Sequence, residues 1–161
     1  MSTDEDKLKS LRERIDQIDR QLLRLLNDRA ECALEVGVVK QSELQQELPV
    51  FYRPEREAQI LNRLMQENTG PLAGDDVARL FREVISCCLN MEMPLKVAYF
   101  GPEGTYTEAA AIKQFGHFAT TVPMASIDEV FREVASSGAH YGVVPVENST
   151  EGMVNHTLDC F

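Results

Sequence analysis

The segment from Leu8 to Lys40, LKSLRERIDQIDRQLLRLLNDRAECALEVGVVK, holds no proline and, before Gly37, no glycine. At about 100° per residue, Leu8, Leu11, Ile15, Ile18, Leu22, Leu25, Leu26, Ala33 and Val36 fall on one continuous helical row. Arg29 and Lys40 lie in the middle of that row and Arg12 lies at its edge. A long apolar face must be covered. A cation set into it needs an anion, either a protein carboxylate or a bound ligand, unless its stem snorkels and its head reaches water. At ~1.5 Å rise per residue, Arg29 and Lys40 are roughly 16 Å apart along the axis, within reach of one small anion for two long side chains. By the same rise Arg12 is a further ~25 Å away. To share that anion it must come from a second chain, as a two-fold pairing of such helices would allow.

The bulk numbers narrow the classes. With 161 residues, 43% of them hydrophobic, the chain can form one or two globular domains with a core. No apolar run approaches the ~20 residues of a membrane span, and the polar, acidic N-terminus is unlike a signal or transit peptide, so a cytoplasmic location is expected. The formal charge is −10, with 13 basic against 18 acidic residues before Leu95 and 3 against 8 after it. Neither half offers the basic surface that nucleic acid or anionic lipid requires. Cys32, Cys87, Cys88 and Cys160 show neither a CxxC pattern nor zinc spacing and are expected as reduced core thiols. His117, His140 and His156 are scattered without ligand partners, so no metal is expected.

After Lys40 the row is lost, and Pro49 predicts an end or bend of the first helix within residues 41–51. Pro54 suits the first turn of a second helix, in which Glu57, Leu61 and Leu64 share a face and Arg56 stands beside Glu57. Residues 68–74, NTGPLAG, form a turn, and Asp75 or Asp76 can cap a third helix reaching Met93 before Pro94. Its row is Val77, Phe81, Val84, Ile85 and Cys88, continued by Glu92. Charged residues thus interrupt three apolar faces, which suggests a polar internal pocket.

Past Pro94 the period changes. Residues 95–100, LKVAYF, read as a buried strand, GPEGT as a tight loop, and Thr105 with Glu108 as a capping box for a helix through Phe115. TTVP at 120–123 reads as a strand, Ser126 with Glu129 as a second capping box, and residues 140–149, HYGVVPVENS, as a third strand entering a polar loop. This βαβαβ order implies a parallel α/β sheet, whose ligands gather at the carboxyl ends of the strands. GPEGT lacks the lysine of a phosphate loop and the spacing of a dinucleotide loop, and no GxSxG elbow is present. A three-stranded sheet with one open face, ending at Phe161, is smaller than a complete domain of this class.

The motifs LRERID, LLNDRAECALEVGVVK, RPERE and LFREVISCCLNME resemble the all-helical chorismate mutases. VAYFGPEGTYTEAAA and GVVPVENSTEG resemble the opening of the prephenate dehydratases. In this order they resemble the bifunctional chorismate mutase/prephenate dehydratase family of phenylalanine biosynthesis, truncated within the dehydratase domain. The resemblance implies an all-α three-helix mutase domain over residues 1–93, working as an intertwined homodimer. An incomplete α/β, periplasmic-binding-protein-like dehydratase segment follows over residues 95–161.

It further implies that Arg12 of the partner and Arg29 hold the two carboxylates of chorismate, and that Lys40 binds a carboxylate and the ether oxygen. Glu57 would accept from the substrate hydroxyl, and Arg56 would support the carboxylate contacts. The acidic residue that the family commonly has three positions before the Arg-Glu pair is replaced here by Arg53, a frequent serine by Cys88, and a frequent glutamine donor by Glu92. An ionised glutamate cannot donate, so Glu92 must carry a proton to take that role. In the dehydratase segment Thr105, Asn148, Ser149 and Thr150 are implied in prephenate binding. The later threonine-bearing motif and the regulatory domain are absent, so no dehydratase activity is expected from this chain.

The mutase reaction is a concerted rearrangement that needs no nucleophile, metal or cofactor. It requires the dianion held in a compact conformation and donors aimed at the ether oxygen, one of which can supply roughly 3 to 4 kcal/mol. Two other readings fit the helices. The same fold serves isochorismate pyruvate lyase, and a helical dimerisation module without catalysis would account for the long row but not for Arg29, Lys40, Glu57 and Glu92.

Overall fold

A computed structural model of the chain describes residues 2–43, 52–148, 152, 153, 157, 159 and 160. It forms two compact units, Met1–Pro49 and Val50–Phe161.

The described part of the first unit is a single helix, α1 (Ser2–Glu43), of 42 residues, about 63 Å long at ~1.5 Å per residue. Asp4 and Glu5 lie in its first turn and Lys40 in its last, each favourable to the helix dipole. The aliphatic row is continuous and exposed: Leu8, Leu11, Ile15, Ile18, Leu22, Leu25, Leu26 and Val36 are each between 45% and 62% exposed. A single helix has no second surface on which to bury such a row, and isolated helices depend on packing for most of their stability.

The second unit opens with α2 (Pro54–Glu67) and α3 (Gly74–Glu92). Pro54 stands in the first turn of α2, where its missing N–H costs nothing, with Glu55 and Glu57 at the positive end. The side chain of Asn68 closes the connection, donating to the Leu72 carbonyl at 2.7 Å and accepting from the Gly70 N–H at 3.1 Å. The cap of α3 differs from the sequence expectation. Ala73 occupies the position without a side-chain bond, and Asp75 and Asp76 fall inside the first turn. There they act on the dipole instead of on one N–H. The helices pack against each other, with Leu61 of α2 and Val77, Ile85 and Cys88 of α3 buried. Of the other cysteines expected in a core, Cys32 is exposed and Cys87 and Cys160 are half-buried.

The rest is β1 (Lys96–Phe100), α4 (Tyr106–Phe115), β2 (Thr120–Met124), α5 (Ile127–Ala135), β3 (Tyr141–Val143) and the pair β4 (Glu147–Asn148) and β5 (Gly152–Met153). The sheet is parallel in the order β2-β1-β3, while β4 and β5 pair antiparallel. Both capping boxes form. Thr105 Oγ1 accepts from the Glu108 N–H at 3.4 Å and Ser126 Oγ from the Glu129 N–H at 3.2 Å. The return bonds reach one residue further back than the usual box, from the N–H of Gly104 to Glu108 and from that of Ala125 to Glu129.

The open sheet face expected from the sequence is covered. On one side Val97 of β1 packs with Ala111 of α4, Leu95 and Tyr52, backed by Leu89 of α3 and Phe115. On the other, Ala98 packs with Val130 of α5 and Ala139. The helices α4 and α5 cover the two faces, and Tyr52 adds to the α4 side: its ring meets Phe115 and Tyr141 at centroid distances of 5.2 and 5.5 Å, and its hydroxyl accepts from Gln114 at 2.8 Å.

The C-terminus of α4 is joined to α3 by a second set of contacts. Ser86 Oγ donates to the Phe115 carbonyl at 2.7 Å, which satisfies one of the acceptors a helix end leaves unpaired. Gly116 caps α4 at φ 78°. A Cβ there would collide with Ser86. His117 donates its N–H to Glu83 at 3.1 Å and meets the same carboxylate through Nδ1 at 2.8 Å. His140, the other described histidine, accepts from the Lys96 N–H at 2.9 Å.

This junction can be tested in two ways. Gly116→Ala combines a left-handed φ with the Ser86 collision and should destabilise the chain by about 2 to 4 kcal/mol, read as a lower urea midpoint. Burial acts to raise the Glu83 carboxyl, but the bonds from His117 outweigh it and hold it below the ordinary value. A depressed acid stabilises the fold above its unfolded pKa, and that contribution is lost as pH falls through the folded value. Thermal midpoints should therefore drop on acidification below the ordinary carboxylate range, and less steeply in Glu83→Gln.

Candidate active site

The cations read from the sequence stand on α1: Arg12 is exposed, while Arg29 and Lys40 are half-buried. One unbroken helix carries all three, so the axial spacing derived for a straight helix applies to them.

The acidic side of the candidate site stands on α2 and α3. Arg53 is exposed at the N-cap of α2 and makes no side-chain cap; its carbonyl accepts from the N–H groups of Arg56 at 3.0 Å and Glu57 at 3.1 Å. That backbone contact fixes the first turn of α2. Arg56 points to solvent, whereas Glu57 is 9% exposed and lies on the same buried side as Leu61. Cys88 is 4% exposed on α3, and Glu92, the last residue of α3, is half-buried.

A buried carboxylate requires a counter-charge, and here it is Arg82 of α3. Its Nε donates to Glu57 Oε1 at 3.1 Å, with side-chain exposures of 30% and 10%. Arg82 was absent from the residues singled out by sequence. The row traced through Val77, Phe81, Val84, Ile85 and Cys88 to Glu92 passes beside it. Its signal was its place one turn before Ile85, on the side that Leu89 and Glu92 continue. The electrostatics extend to Tyr52, whose phenol is pushed up by burial and then by the charge of Glu57.

In the α/β part, β1 and β3 run parallel, so the loops leaving them start at one edge of the sheet. The loop after β1 turns through Gly101 at φ 107° and Gly104 at φ 83° and ends at Thr105, which caps α4. Beneath it the Tyr99 side chain is fully buried and its hydroxyl has no hydrogen-bond partner among the described residues. Burial, then the carboxylates of Glu108 and Glu103, push that phenol up. The polar loop expected directly after the third strand is separated from it by Val144, Pro145 and Val146, and Asn148 then lies in β4. Ser149 and Thr150 lie outside the described residues. Among the described residues no cluster of histidine, cysteine and carboxylate side chains could hold a metal ion, and no helix is long and apolar enough to cross a membrane.

Residues 11–93 match the family model described as chorismate mutase type II. The chain belongs to that family. Residues 97–161 match the model described as prephenate dehydratase, so the type II mutase part is followed by the second family in the order that the motifs suggested. Three similar proteins are each described as a bifunctional chorismate mutase/prephenate dehydratase. That of Pseudomonas aeruginosa is 62% identical over 159 residues, covering 98% of this chain and 44% of that protein. That of Aquifex aeolicus is 44% identical over 160 residues, covering 97% and 43%. That of Escherichia coli K12 is 32% identical over 179 residues, covering 98% and 44%. The chain thus spans less than half the length of these relatives. A solved structure described as chorismate mutase (form II) from Thermus thermophilus is 34% identical, covers 53% of this chain and 93% of that one, and gives a TM-score of 0.48.

Proposed function

We propose that this chain is a chorismate mutase, converting chorismate to prephenate for phenylalanine biosynthesis, and that residues 95–161 belong to a prephenate dehydratase part. The match of residues 11–93 to the type II mutase model carries this reading. The site residues are assigned as the resemblance implies: Arg12 of a second chain, Arg29 and Lys40 on the substrate carboxylates and ether oxygen, and Glu57 on the ring hydroxyl. Arg53, Arg56, Cys88 and Glu92 are assigned to substrate binding as well. Thr105, Asn148, Ser149 and Thr150 belong to the dehydratase side, and residues 1–93 and 95–161 are the two functional parts.

The working form is a cytoplasmic homodimer without cofactor. The exposed aliphatic row on α1 supports pairing, because a face this long gains by burial at about 25 cal/mol per Å² against a matching face. A two-fold pairing also brings each chain's Arg12 to the other's Arg29 and Lys40. Catalysis then rests on holding the dianion compact and placing donors at the ether oxygen as its charge develops.

The deciding experiment follows chorismate loss by the purified chain and identifies the products. Prephenate is the expected product. Arg29→Leu should abolish turnover while leaving helicity intact, whereas no turnover by the folded, dimeric wild type overturns the mutase reading in favour of a dimerisation module. Pyruvate release from isochorismate would instead establish the lyase. Because Glu92 must carry a proton to donate, activity should fall as pH rises, and Glu92→Gln should flatten the profile. An unchanged profile in that variant removes Glu92 from the mechanism.

A further inference from the structure

Burying Glu57 between α2 and α3 creates a difficulty that the mutase reading leaves open. A carboxylate that recognises a substrate hydroxyl must stay ionised and keep one geometry, yet Glu57 is 9% exposed on a helix whose other first-turn residues face solvent. A charge in that position is costly without a partner, and a free carboxylate at a helix start can adopt several rotamers. Arg82 resolves both points. It reaches across from α3 with Nε, the guanidinium nitrogen nearest the stem, and takes one named oxygen, Oε1, at 3.1 Å.

We infer that Arg82 is a positioning residue for the mutase, fixing the Glu57 carboxylate so that Oε2 is presented to the ring hydroxyl of chorismate. The inference rests on the mutase reading and deepens it by explaining how a buried acid is held ready. Among the described residues of the second unit, Tyr52, from the segment before α2, also acts electrostatically with Glu57. Its phenol is held in place by Gln114 at 2.8 Å and brings no positive charge. Counter-charge and orientation therefore come from Arg82. The guanidinium also remains partly accessible, at 30% side-chain exposure, so it reaches the carboxylate without being sealed in with it.

The hydroxyl is not among the atoms whose bonds change. An acceptor for it stabilises substrate and transition state to similar extents, so its loss should appear in KM more than in kcat. Arg82→Gln should raise KM for chorismate about tenfold, the scale of one charged hydrogen bond, while kcat changes less than about threefold. The effect should vanish with the chorismate analogue in which the ring hydroxyl is replaced by hydrogen, because nothing is then left for Glu57 to accept. Arg82→Lys, which keeps a cation on the stem, should recover part of the loss.

The wild type is assayed first on chorismate. Failure there overturns the mutase reading itself, independently of Arg82. Given wild-type turnover, equal losses on chorismate and on the deoxy analogue, or a fall in kcat at unchanged KM, overturn the positioning role and leave Arg82 as a packing residue. If Arg82→Gln does not fold, the same two-substrate comparison is read from Arg82→Lys, where a hydroxyl-dependent rise in KM supports the inference and a hydroxyl-independent one overturns it.

Discussion

The second unit depends on one close approach, between Ser86 of α3 and Gly116 at the end of α4. Helix ends leave carbonyls without intrahelical partners, and those of α4 are met partly by Ser86 and partly by the cap itself. Because Gly116 has no Cβ, the backbones come near enough for His117 to make two contacts with one carboxylate, Glu83. Ring packing from Tyr52 then closes the same side of the sheet. A serine of α3, a glycine and a histidine that follow α4, and a tyrosine ahead of α2 thus join α2 and α3 to the sheet.

That arrangement has a chemical consequence. Glu57, Cys88 and Glu92 are carried by helices that are themselves anchored to the sheet, through Leu89 and Ser86 on α3 and through Tyr52 just ahead of α2. The acids are consequently held by a packed body, with Glu57 fixed by an arginine on the facing helix. The cations Arg12, Arg29 and Lys40 sit on a different kind of element, a long helix whose apolar row remains exposed. In the proposed site, the acid side is thus preorganised within the chain. In the proposed dimer, the cation side takes its final form as the row on α1 is covered.

Much of this was legible beforehand because the local signals are strong. Pro54 at a helix start, Thr105 and Ser126 each three residues before a glutamate, and a switch from 3.6 to short apolar runs after Pro94 are chemical instructions that neighbours seldom override. The expected cap at Asp75 or Asp76 is not made because the helix starts earlier, with Ala73 at the N-cap, which leaves both aspartates inside the first turn. Tyr52 and Arg82 were missed for a different reason. Each matters through a residue distant in sequence, Gln114 and Tyr141 for the first and Glu57 for the second, and no periodicity reports such a meeting.

The sequence by itself determined the helices, the parallel sheet implied by alternating strands and helices, the family resemblance, and the positions at which charge interrupts an apolar face. These follow from local propensity and period, which each segment carries alone. Tertiary structure decided which charge answers which, that Glu57 pairs with Arg82 and Glu83 with His117, and that the sheet is covered on both faces, by α4 with Tyr52 on one and by α5 on the other. Burial selects partners by distance in space, and a buried charge accepts whichever counter-charge the packing brings within about 3 Å.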